Sequence, residues 1–152
     1  MTTDTFPDMT DQRWHPWRYL AERYPHITVI TRHRLPGHTM GLIRGDRIWI
    51  CSSCDQAERR STLTHELRHL DRGIVALPHL VPREERIVSE LAARDLIPLP
   101  ELIDALKWTR SIGELADELW TDEPTVRVRL NTLDPIEVAQ IEHHIGDDWN
   151  VA

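Results

Sequence analysis

The sequence predicts an α+β protein, mainly helical, in which a small three-stranded antiparallel sheet packs on a histidine-bearing helix and further helices follow. Three observations carry this. β-Branched and aromatic residues gather between residues 27 and 52, with tight-turn signals among them. Residues 55–71 run without glycine or proline between Asp55 and Gly73. Later, prolines and acidic capping residues divide the chain into short segments of helical periodicity.

In chain order, residues 1–12 carry no such pattern and are expected to be disordered. Residues 16–24 read as a short helix with Pro16 in its first turn. Strands are expected at 27–33, 39–44 and 47–52. Gly45-Asp46 makes a two-residue hairpin turn between the last two, and Pro36-Gly37 breaks the chain between the first two. The sheet leads straight into the 55–71 helix, where Asp55 is an N-cap type residue and Leu63, Leu67 and Leu70 recur at helical spacing. Residues 73–82 are irregular. A second strong helix, 83–97, stops at Pro98, and Pro100 occupies the first turn of the next, 101–107. Two short helices, 112–120 and 122–133, meet where Thr121 or Asp122 caps the second and Pro124 sits early in it. Asp134-Pro135 opens a last helix through His144, and Gly146 ends it.

The 152 residues suffice for one domain with a real core, or one domain with a small appendage. The polar start lacks the basic and apolar regions of a signal peptide, and no apolar run approaches a membrane span. The expected location is cytoplasmic, with no membrane partner. Residues 101–152 hold four basic and twelve acidic residues, a balance of −8 against +1 for the first 100. So acidic a region is a poor match for a phosphate backbone and a better one for a basic protein partner. The six tryptophans are scattered along the chain and are expected in the core rather than in a base-stacking platform. Cys51 and Cys54 form a lone C-x-x-C. A structural zinc site needs two further ligands, so both read as residues at a strand end.

His65-Glu66-Leu67-Arg68-His69 is an HExxH pentad. On a helix, positions i and i+4 lie one above the other, so both imidazoles can reach one metal ion. Glu66, beside the first ligand, can take a proton from a metal-bound water. A catalytic zinc needs a third protein ligand and one open position. Asp71, His79, Glu84, Glu85 and Glu90 are candidates. The metzincin arrangement fails, because Arg72 and Val75 stand where it requires Gly and His. The 83–97 helix is the natural donor. Glu84 and Glu85 both border its apolar face of Ile87, Val88, Leu91 and Ala92, and the residue pattern leaves them nearly tied, although Glu85 shares its stripe with the small Ser89 and Ala92.

The chain resembles the ImmA/IrrE family of metallopeptidases. That family couples a Thr-His-Glu-x-x-His helix to a later Glu-x-x-Ala-Asn-x-Phe-Ala-Ala-x-Leu-Leu-Met-Pro stretch. Thr64 to His69 fits the first; Glu85 to Pro98 fits the second, with Val88, Ser89, Leu91 and Asp95 as departures. The likeness spans roughly residues 40 to 133 and is closest to small actinobacterial and actinophage members. It implies a zincin-like core over 1–98 and a helical region over 99–152. It also implies Zn2+ as cofactor, with His65, His69 and Glu85 as ligands and Glu66 as base. His26, His33, His38 and His79 are candidates for oxyanion stabilisation, and Asp71 and Glu90 for orienting the imidazoles. An extended peptide can pair with an exposed edge of the sheet.

In segment 112–133, Leu115, Ala116, Leu119, Val126 and Leu130 have the spacing of a helix-turn-helix core, as in that family. Its acidic residues outnumber Arg127 and Arg129, which disfavours direct DNA binding. The function implied by the resemblance is cleavage of a helix-turn-helix repressor, switching on phage, mobile-element or stress genes. The alternative is a non-catalytic anti-repressor that sequesters the same partner.

Overall fold

Asp55 opens the longest helix with a reciprocal cap. Its side chain accepts the Glu58 N–H at 2.8 Å, while the Glu58 carboxylate accepts the Asp55 N–H at 3.1 Å. The computed structural model describes residues 13–151; the disorder expected for 1–12 lies outside them. Among the described residues, seven α-helices and three strands follow in the order α1 Pro16–Arg23, β1 Thr28–Ile30, β2 Gly41–Arg44, β3 Arg47–Ile50, α2 Gln56–Arg72, α3 Val81–Leu96, α4 Leu99–Leu106, α5 Ile112–Leu119, α6 Glu123–Asn131 and α7 Pro135–Ile145. A 3-10 turn at Pro78–Leu80 leads into α3, which starts two residues earlier than expected because Pro82 fits a first turn.

The sheet is mixed rather than antiparallel. β2 and β3 form the expected hairpin, but β1 pairs parallel to β3, and the strand order is β1-β3-β2. The reason lies in residues 31–40. Instead of turning back on β1, this connection carries the chain across to the far edge of β3. Both its ends are tied beyond β3, Ser52 donating to the His33 carbonyl at 2.9 Å and Cys51 to the Met40 carbonyl at 2.7 Å. Hydrophobic alternation marks a strand without encoding its direction.

α2 lies across β2 and β3. Ile48, Ile50, Leu63 and Leu67 are fully buried between them, with Leu20 and both cysteines around. A second core gathers Leu96, Leu102, Leu106, Leu115, Val126 and Ile141, and Trp14 packs against both. Each such side chain contributes about 1.5–3 kcal/mol, against about 0–1 for an exposed ion pair like Arg47–Asp46. Apolar burial therefore holds the fold.

α3 joins the two cores. Its buried residues are Val88, Ala92, Ala93 and Leu96, whereas Leu91 is exposed. Because α3 packs against both α2 and α6, small residues take the contact and permit close approach. The tryptophans divide: Trp14, Trp49 and Trp149 pack, while Trp17, Trp108 and Trp120 are exposed. Trp120 ends α5 in a left-handed conformation, φ 55°, with its carbonyl accepting from buried Arg60 of α2 at 3.0 Å. Ser61 Oγ accepts the Asp122 N–H at 3.2 Å, so the α5–α6 junction is seated on α2. Cys51 and Cys54 are free thiols in the core, Cys51 accepting the Leu35 N–H at 3.3 Å. No helix among the described residues is long and apolar enough to cross a membrane.

Candidate metal centre

One turn of α2 separates His65 from His69, and their rings meet edge-on with centroids 4.8 Å apart. From α3, the Glu85 carboxylate reaches both, one oxygen 3.0 Å from His65 Nε2 and the other 2.8 Å from His69 Nε2. The two Nε2 atoms are 3.2 Å apart. Taking one donor atom from each side chain, the three lie within 4.8 Å of one another. They are the one such group of His, Cys, Asp or Glu among the described residues, and together they can hold a metal ion.

Arg68 helps place α3. Its guanidinium donates to Asp95 of α3 at 2.5 Å and to Asp71 at 2.7 Å, while Val88 and Ala92 bury against the neighbouring helices. Asp95 is thus the partner of the arginine that stands between His65 and His69. Glu84 turns the other way, onto the Arg72 guanidinium, which holds its carboxyl below the usual range. Asp71 accepts from the Tyr19 and Tyr24 hydroxyls at 2.9 and 2.5 Å, and Glu90 pairs with Arg94 at 3.4 Å. Neither lies on an imidazole, so neither orients one. The Tyr hydroxyls and Arg94 outcompete a more distant ring.

Burial pushes the His65 pKa down, with the neighbouring His69 adding to it and Glu85 opposing. Neutral imidazole is the form that ligates a metal. Glu66 is buried, and burial, then the Glu85 charge, raises its carboxyl to about 7. A group so poised can accept and return a proton near neutral pH.

Two clefts meet at Glu66. One, about 330 Å³, is lined by Thr39, Met40 and Gly41, by Ser61, Thr62 and His65 of α2, by Ser89 of α3, and by Asp122 and Thr125 at the start of α6. The other, about 520 Å³, lies on the His69 and Glu85 side and reaches Ile43 and Gly45. None of His26, His33, His38 or His79 lines either cleft. β2 runs past both. Gly45, φ +57°, closes its two-residue turn, so Arg44 and Arg47 form a hydrogen-bonded pair, as do Met40 and Cys51. The alternation leaves the main-chain groups of Gly41 and Ile43 facing away from β3, along an unpaired edge.

Gly41, Thr62, Asp122 and Thr125 escaped the sequence reading. A glycine inside a strand is a signal for close approach and was available; nothing local announces that α6 will border the site. No family model, curated protein or solved structure matches the chain.

Proposed function

We propose that the chain is a zinc-dependent endopeptidase with a zincin-like core, His65, His69 and Glu85 holding the ion and Glu66 acting as base. The observation that carries this reading is Glu85 bridging both imidazoles while the buried Glu66 lines both clefts beside them. Zinc in such a site supplies Lewis acidity and makes water nucleophilic near neutral pH. The Glu66 carboxylate takes the proton of the attacking water and passes it to the leaving amine. The unpaired main-chain groups of Gly41 and Ile43 hold an extended substrate backbone across the site, as an added strand.

The substrate, on the resemblance to the ImmA/IrrE family, is a helix-turn-helix repressor whose cleavage derepresses phage, mobile-element or stress genes. α5 and α6, the helix-turn-helix-like pair, serve as a docking element rather than a DNA reader. In support, Arg129 is buried against the Ile97 carbonyl and Glu137, which leaves the exposed Arg127, beside Glu123, as the one arginine of the two helices that phosphate could reach. The test is to incubate the zinc-loaded protein with the repressor encoded nearest its gene and follow intact masses. Two complementary fragments are expected; an uncut repressor held in a stable complex would favour sequestration instead.

A further inference from the structure

The cleft on the His69 side is lined by Glu66, His69, Glu84 and Glu85 and, for the rest, mainly by apolar Ile43, Leu70, Ile74, Val75 and Val81. Of its acidic groups, Glu84 is paired with Arg72 and Glu85 with the imidazoles, which leaves the buried Glu66, the proposed base, as the one carboxylate there without such a pairing. Of nine exposed large hydrophobic residues among those described, Ile74, Leu77, Leu80 and Val81 fall within eight consecutive positions. Two of these, Ile74 and Val81, line this cleft, so part of its rim is exposed apolar surface, from which a monomer gains nothing.

The edge of β2 explains what would fill it. A backbone paired along Gly41 and Ile43 passes Glu66 and continues over this cleft, and side chains alternate along such a strand, so one of every two points down beside Ile43. We propose that this cleft is a specificity pocket selecting a large apolar residue (Leu, Ile, Met or Phe) next to the scissile bond, with Ile74 and Val81 as its selecting lip. The proposal rests on the peptidase reading for the position of the bound backbone, but the selection itself requires no cleavage.

The experiment uses the full-length, zinc-supplemented Glu66→Gln protein and a positional mixture of uncut peptides, with retained peptides sequenced by mass. Enrichment of Leu, Ile, Met or Phe over Gly, Asp and Lys at one position, by about tenfold or more, is expected. Ile74 is fully exposed and Val81 partly so, so Ile74→Asp and Val81→Asp leave the fold intact. Each should abolish that enrichment with an unchanged melting temperature. Retention blind to apolar residues, a preference for Lys or Arg, no retention, or enrichment unmoved by both substitutions would overturn the pocket. If apolar peptides are retained but the wild-type protein cuts none of them, the peptidase reading fails and the pocket stands.

Discussion

Gly41 of β2 lies directly on α2 beside Glu66: a β-carbon built there would stand 2.5 Å from Thr62 Cγ2 and 3.0 Å from Glu66 Oε1. The sheet edge and the proposed base thus touch with no side chain between them. Gly41→Ala should cost about 1–3 kcal/mol in denaturant unfolding and lower activity by displacing Glu66. Adding Thr62→Ser removes the nearer clash. Stability should then recover in part while activity stays low, because Glu66 remains crowded; full recovery of both would mean that only Thr62 matters.

Glu66→Gln keeps the shape and removes the proton acceptor. It should preserve zinc content and melting temperature and reduce cleavage by about 100-fold or more. Cleavage at the wild-type rate would remove Glu66 from the base role.

Glu137 supplies a pH prediction away from the site. Burial alone would raise its carboxyl, but hydrogen bonds from Arg129 and Arg94 outweigh that and hold it at about 2. A depressed folded pKa contributes stability that is fully present above the ordinary value of 4.5 and is lost as pH falls toward about 2. The contribution at neutral pH is on the order of 3 kcal/mol. Glu137→Gln should lower the melting temperature at pH 7 and flatten its decline between pH 4.5 and pH 2. An unchanged acid slope would show that other carboxylates dominate.

The acidic 101–152 region makes an electrostatic prediction. Complexes with a basic repressor surface should weaken with added salt, and charge reversal at Asp117 or Glu118 should weaken them further. The isolated protein should give no sequence-specific shift of operator DNA at physiological salt. A specific DNA complex would reverse the roles assigned to α5 and α6.

The elements were legible where chemistry is local. Asp55, Ser111, Asp122 and Asp134 each accept a first-turn N–H, and Gly73 and Gly146 end their helices with positive φ, so caps and stops could be read residue by residue. The His65–His69 pairing followed from one helical turn. The direction of β1 was not legible, because a ten-residue connection can return to either edge of β3. Nor was the border that α6 gives the site, which depends on Arg60 and Ser61 seating the Trp120–Asp122 junction. Glu84 and Glu85 differ by one position on one helix. Only the Arg68–Asp95 clamp and the Arg72–Glu84 pair, both between helices, separate them.

That separation is what zinc affinity reads. The protein purified with zinc should carry about one ion per chain, measured by elemental analysis, and lose it in His65→Ala and His69→Ala. Competition with a chelator should show Glu85→Ala weakening affinity by about 100-fold or more, and Glu84→Ala leaving it close to wild type. Wild-type protein without a bound transition metal, or Glu84→Ala as the damaging substitution, would contradict the metal centre described above.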